Sequence, residues 1–140
     1  MSYKINDTFV GMVRDYYDEK KTMLKEEYFV NAGKKEGIYK LYDNGVLEKE
    51  INYINGLRHG ICKIYHYNGK LYEESNYIND KKTGICKIYD SGGFLDSEVN
   101  YIDGLKQGIC KSYHYNGKIS EEAYYIDDDK KFYKLYHDFE

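Results

Sequence analysis

The chain has 140 residues, with 21 Lys and Arg against 24 Asp and Glu, for a net charge of −3. That length suits one domain, and the charge balance speaks against a nucleic-acid binder, which would carry a basic face. No apolar run approaches the roughly 18 residues a spanning helix needs, and the start lacks the apolar segment of a signal peptide, so a cytoplasmic protein is expected.

Taken in chain order, residues 1–10 read as a partial unit, because Ile5 to Gly11 matches the end of later units. Residues 11–36 form a divergent copy; no sustained helical period runs through Asp15 to Tyr28. A shorter copy spans 37–59, with turn signals at Asn44-Gly45 and Asn55-Gly56. Three copies follow at 60–83, 84–107 and 108–130. Each opens on Gly-Ile-Cys-Lys, at Gly60, Gly84 and Gly108, 24 residues apart each time. Residues 131–140 supply a capping strand and tail, with Phe132 to Tyr136 repeating a first strand. A fixed period of this size marks a repeat array whose terminal copies are atypical.

Each unit is predicted to be a β-hairpin. Two short runs rich in Ile, Tyr and Val flank Asn-Gly or a near equivalent, and a type I′ turn needs positive φ at both central residues. With no Pro to remove a ladder donor, the expected fold is all-β: one elongated, twisted antiparallel sheet of consecutive hairpins, in a single domain.

Placing Asn68-Gly69 at the centre of a two-residue turn pairs Tyr67 with Lys70, Tyr65 with Tyr72 and Lys63 with Glu74. The same count pairs Lys87 with Glu98 and Lys111 with Glu122. Facing opposite charges contribute about 0.2–1 kcal/mol each, so one face should carry a Lys–Glu ladder. In the shorter copy the count sets Lys40 against Lys49, so either a bulge restores the register or the ladder stops there. Alternation sends Cys62, Ile64, Leu71, Ser75 and Tyr77 to the opposite face, the expected buried one. Ile61, Tyr65 and Ile78 stay on the charged face, sheltered between stacked aromatics or presented as a groove for a partner.

The three Cys share one repeat position. Equivalent residues two strands apart are about 9–10 Å from each other, beyond the ~7 Å a disulfide spans, so free thiols in a reducing setting are expected. The 19 Tyr are explained as stacked columns: Tyr42, Tyr65, Tyr89, Tyr113 and Tyr136 in first strands, and Tyr53, Tyr77, Tyr101 and Tyr125 in second strands. His66 and His114 share a position but lie too far apart to act together, and read as surface imidazoles. Asp127, Asp128 and Asp129 read as charge that ends the sheet. No nucleophile elbow, phosphate loop or paired-cysteine metal motif appears; no catalytic residue, metal or cofactor is expected.

The unit Gly-x-x-Lys-x-Tyr-x-x-Asn-Gly-Lys-x-x-Glu-x-x-Tyr, seen from Gly60 and again from Gly108, resembles the MORN repeat. It is similar in particular to the variant found in bacterial and viral proteins, some labelled antitoxin-like. The likeness covers about residues 11–136. It departs from the commoner unit in having no Trp, with Tyr or Ile at the aromatic positions. The resemblance implies a rigid hairpin ladder, protein–protein contacts and often self-association. Lipid binding has been proposed for such proteins, but no basic face stands out here.

The expected function is therefore a non-enzymatic scaffold or protein-binding module. Its surface is expected to be a Tyr-lined stripe: Tyr42, Tyr65, Tyr89 and Tyr113, with Lys63, Lys87, Lys111, Glu74, Glu98 and Glu122. Tyr supplies amphipathic contact area suited to interfaces. The partner would be a protein, with a homo-oligomer through sheet edges at Phe132 to Tyr136 or Tyr3 to Val10 as one form. Alternatives are an antitoxin-like partner of a toxin or enzyme, and attachment to a membrane surface.

Overall fold

The computed structural model describes residues 6–138. The elements, in order, are β1 (Gly11–Tyr16), β2 (Leu24–Asn31), β3 (Lys34–Asp43), β4 (Val46–Ile54), β5 (Leu57–Tyr65), β6 (Leu71–Ile78), β7 (Lys81–Tyr89), β8 (Leu95–Ile102), β9 (Leu105–Lys106), β10 (Gly108–Tyr113), β11 (Ile119–Ile126) and β12 (Asp129–Leu135). They form one open antiparallel sheet in which strands adjacent in sequence pair, except that β9 and β10 both pair with β8. β9 and β10 are two parts of one first strand: β9 pairs with the end of β8, β10 with its middle.

Two kinds of turn alternate along the ribbon. Between hairpins the turns hold two residues, both at positive φ: Ala32-Gly33, Asn55-Gly56, Asn79-Asp80, Asp103-Gly104 and Asp127-Asp128. These have the type I′ form expected of short hairpins. Each docks on the preceding repeat, as where the Gly56 N–H donates to the Lys35 carbonyl (2.9 Å) and the Asp80 N–H to that of Arg58 (2.9 Å).

Within hairpins the expectation holds only at Asn44-Gly45. At Asn68-Gly69 only Gly69 has positive φ. The His66 N–H donates to the Lys70 carbonyl (2.7 Å), and the Gly69 N–H to that of His66 (2.9 Å). The Asn68 side chain also accepts from the Lys70 N–H (3.0 Å). The loop is thus longer than a two-residue turn, and Tyr67 and Lys70 do not form a ladder pair. A bulge at Tyr72 absorbs the difference: Tyr65 faces Leu71 rather than Tyr72, yet Lys63 faces Glu74 as expected. In the shorter copy a bulge at Glu48 does the same, so Lys40 faces Glu50 and not Lys49.

A second bulge recurs where one hairpin joins the next. Glu74 faces Lys87 and Asn76 faces Thr83, so Gly84, Ile85 and Cys86 together oppose Ser75 alone. The repeat-opening Gly makes this possible, with φ of +78° at Gly37, +95° at Gly60, +72° at Gly84 and +78° at Gly108. A Cβ at Gly60 would also lie 2.9 Å from the Asn52 side chain. Bulges bend and twist a ribbon. In β12, where no Gly opens the strand, a single residue is extra between Tyr124–Phe132 and Tyr125–Lys130.

The buried side chains lie along the Cys face: Val30, Cys62, Ser75, Cys86, Cys110 and Ala123. The thiols are free. Burial pushes the Cys86 thiol up to about 12, so it stays protonated as a small apolar group. The Tyr of the second strands lie on this face too; Tyr53 meets Tyr39 edge-on at 6.1 Å, and a cation lies over each of the others. Arg58 sits over Tyr77 (4.4 Å), Lys82 over Tyr101 (5.1 Å) and Lys106 over Tyr125 (5.3 Å). Lys82 also meets Glu73 at 2.6 Å.

Candidate interaction face

The opposite face is built around one column. Because the junction bulges insert residues without changing side-chain parity, the Lys–Glu pairs of separate hairpins fall into line. Arg14 faces Glu27, which faces Lys40, which faces Glu50, which faces Lys63. Lys63 faces Glu74, then Lys87, Glu98, Lys111, Glu122 and Lys134 follow across the remaining strands. Charge alternates without a break from β1 to β12. Arg14 and Glu27 close to 3.2 Å; among the described residues no other neighbours in the column close into an ion pair.

Tyr42, Tyr65, Tyr89 and Tyr113 lie on one side of the column, at the end of each first strand, and all are half-buried. The Tyr113 hydroxyl donates to Glu98 Oε1 (2.8 Å). Burial, and then that bond, pushes its pKa up to about 12. Tyr65 stands in the same relation to Glu50: burial first, then the Glu50 charge, raises its pKa. Tyr113 is thus tied to the column by a hydrogen bond, and the charge of Glu50 acts on Tyr65. The Tyr89 backbone is engaged too, since the His66 Nε2–H donates to its carbonyl (2.8 Å), and that of His114 donates to the Tyr136 carbonyl (2.8 Å). The two imidazoles thus link successive repeats, where sequence reading had them only at the surface.

On the other side of the column lies an aliphatic row whose extent the sequence reading did not bring out. Ile38, Ile61, Ile85 and Ile109 are 55–57% exposed. Each follows directly on the repeat-opening Gly in the junction bulge. The facing residues are Asn52, Asn76, Asn100 and Tyr124. Nearer the type I′ turns, Ile54, Leu57, Ile78, Ile102 and Leu105 add exposed aliphatic surface. The signal in the sequence was the Ile of Gly-Ile-Cys-Lys. An alternation rule places it on the charged face but says nothing of how far it projects.

Between successive Ile side chains lie shallow grooves. One, of about 380 Å³, is lined by Ile38, Asn52 and Ile61 with Glu50 and Lys63. Another of the same volume is lined by Ile85, Asn100 and Ile109 with Glu98 and Lys111. Both are open and floored by amide side chains. No cluster of His, Cys, Asp or Glu that could hold a metal ion occurs among the described residues.

At the free edges, β12 is exposed along its whole length. The N-terminal edge strand is β1, while Tyr3, Lys4 and Ile5 of the proposed Tyr3–Val10 edge lie outside the described residues. The described residues include no helix long and apolar enough to cross a membrane.

An array of stacked hairpins with one packed face and one face of columns defines a β-repeat protein. The MORN repeat variant family matches residues 35–55, 58–79 and 106–127. The chain is a MORN repeat protein. The hairpin of β7 and β8 has the same strand register but falls outside the matched segments; its loop, Asp90-Ser91-Gly92-Gly93-Phe94, replaces the His-Tyr-Asn-Gly-Lys of its neighbours. No curated protein matches the chain. Among solved structures it is similar to a chain of the GtfA/B complex bound to UDP and GlcNAc, at 16% identity and a TM-score of 0.44. That likeness covers 71% of this chain and 22% of the other.

Proposed function

We propose that this chain is a non-enzymatic protein-docking module that works through the face bearing the Lys–Glu column. The observation that carries the reading is the row of Ile38, Ile61, Ile85 and Ile109, more than half exposed beside an ordered line of charge. Contiguous apolar surface rimmed by polar groups marks interaction sites on soluble proteins. The half-buried Tyr and the charge column add orientation, since facing charges favour one register over others. MORN repeats are consistent with such a scaffold, and a flat repetitive face gathers no converging set of titratable groups for chemistry.

The test compares proteins captured by the wild type, by an Ile61→Glu/Ile85→Glu variant and by a Tyr65→Ala/Tyr89→Ala variant. Loss of the same partners from the Ile variant supports the reading, with a smaller loss from the Tyr variant. Identical capture by all three removes this face as the working surface. Flotation with anionic vesicles decides the lipid alternative: binding that the Ile substitutions abolish would replace a protein partner by a membrane.

A further inference from the structure

We propose that the partner this face is shaped to receive is a second copy of the same chain, packed face to face and displaced by one strand. The inference rests on the docking reading above and names the occupant of that face. It follows from the parity of the column. First strands carry Lys in the column and Ile in the aliphatic row, whereas second strands carry Glu and, from β4 to β8, Asn.

Two ways of laying the face on itself can be compared. A two-fold axis along the column sets each charge on its own equivalent and the Ile row over the Tyr. A two-fold axis parallel to the strands keeps Ile row over Ile row and column over column. If that axis runs along a strand, Lys again meets Lys. If it runs midway between two strands, first strands lie over second strands and every Lys meets a Glu. Wherever a second strand from β4 to β8 lies opposite, the same half-step sets an Ile over an Asn of the other copy, between two Ile, instead of Ile upon Ile. One displacement thus satisfies both charge and shape, as an isologous interface requires.

The axis is placed between β6 and β7. There Glu74 of each copy meets Lys87 of the other. Lys87 is an exposed lysine of the column, and among the described residues Glu74 accepts no side-chain hydrogen bond, unlike Glu98, which is held by Tyr113. On either side Lys63 meets Glu98 of the second copy, Ile61 enters the groove over Asn100, and Ile85 lies over Asn76. Successive strands rotate by about 20–25°, so contact is confined to the strands nearest the axis.

Sedimentation equilibrium of the full chain tests this with Lys87→Glu and Glu74→Lys. The wild type should associate reversibly into dimers. Each variant should weaken association by at least about tenfold, because the symmetry applies the like-charge contact twice. An equimolar mixture of the two variants should recover wild-type association, since each altered charge then meets its opposite. Lys20→Glu, an exposed charge in the loop between β1 and β2, far from the axis, should leave association unchanged. Circular dichroism of each variant separates a folding defect from a lost interface, and recovery in the mixture is independent of it.

A wild type that stays monomeric over a wide concentration range, or a mixture no tighter than its components, overturns the proposal. The two readings fail separately. If the wild type is monomeric but Ile61→Glu/Ile85→Glu still loses its captured proteins, the docking face stands and the second copy does not. If that variant captures everything the wild type does, the docking reading falls as well.

Discussion

The two faces of this sheet are made by alternate residues of the same strands, yet they handle their charges in different ways. On the Cys face the cations are consumed internally: Lys35 lies over Tyr28, Tyr39 and Tyr53 at 4.3–5.3 Å, and Lys82 is held between Tyr101 and Glu73. Small residues such as Cys86 and Ala123 fill the space beneath these long side chains. On the other face the charges stand in line, mostly without ion pairs, and the aliphatic side chains project. A single-layer sheet has no second layer to bury either face. One face provides its own cover from side chains, and the other leaves its apolar surface open. Substitutions on the first should therefore cost stability, and substitutions on the second should cost binding.

The broadest test is alkaline pH. Burial raises the Cys86 thiol to about 12 from 9.0, and burial, before any charge effect, also raises Tyr28, Tyr53 and Tyr101. For each group the folded state holds its proton longer than the unfolded chain does. Stability is then fully present below about pH 9 and is lost as pH rises through the folded-state values. Urea midpoints should be flat from neutral pH to about 9 and fall steeply toward 12. A midpoint unchanged across that range would mean the Cys face is not closed. Tyr113, on the other face and also about 12, contributes to the same slope, so Cys86→Ala should flatten its onset near pH 9 without abolishing it.

Next in size is Glu73→Ala. The side chains of Glu73 and Lys82 are 13% and 20% exposed. Burial is the largest single influence on Lys82 and would lower its pKa, but the bond to Glu73 and the surrounding charges together outweigh it and the value is raised. Removing the carboxylate leaves a half-sheltered ammonium without its partner. Truncating one member of a fully buried pair costs 3–5 kcal/mol; with this much residual exposure about 2 kcal/mol is expected, read as a shift in urea midpoint at constant slope.

Much of this contrast was legible in the sequence. The Gly-Ile-Cys-Lys spacing gave the hairpins, and counting outward from Asn68-Gly69 placed Lys63 opposite Glu74. Alternation put the three Cys on the packed face, and the Lys40–Lys49 clash left either a bulge or the end of the ladder, of which the structure has the bulge, at Glu48. What stayed hidden depends on conformations that residue types alone do not fix. Asn68-Gly69 and Asn44-Gly45 have the same letters, but the first sits in a longer loop closed through His66 and Lys70, so the Tyr65–Tyr72 pair did not form. The column across hairpins required the number of extra residues at each junction bulge. That number is set by the positive φ of Gly60, Gly84 and Gly108, which pattern counting within one hairpin does not reach. The cations over Tyr77 and Tyr101 come from the start of the first strand of the same hairpin, and the sequence shows these two columns only separately.

Two smaller effects sharpen the contrast. Ser75 faces Cys62 on the packed face, and its hydroxyl is buried without a hydrogen-bond partner. Equivalent positions hold Val99 and Ala123. An unsatisfied buried hydroxyl is destabilising, so Ser75→Ala should raise stability by about 1 kcal/mol, measured by denaturant unfolding. A loss of similar size would show that Ser75 has a partner in solution, such as water, and that this face is less dry than its burial implies.

The smallest expected effect is Ile85→Ser. Truncating a large aliphatic residue within a core costs about 2–5 kcal/mol, but Ile85 is 57% exposed and stands on a bulge. Surface substitutions away from special features stay within about 0.5 kcal/mol, and Ile85→Ser should do the same when unfolding is followed at concentrations where the chain is monomeric. A loss above about 1 kcal/mol there would mean that the Ile row holds the junction bulge together, and the division between a face that folds and a face that docks would not survive. Stability unchanged at low concentration but reduced at high concentration would locate the contribution of Ile85 in association, because binding to the folded state alone stabilises it by mass action.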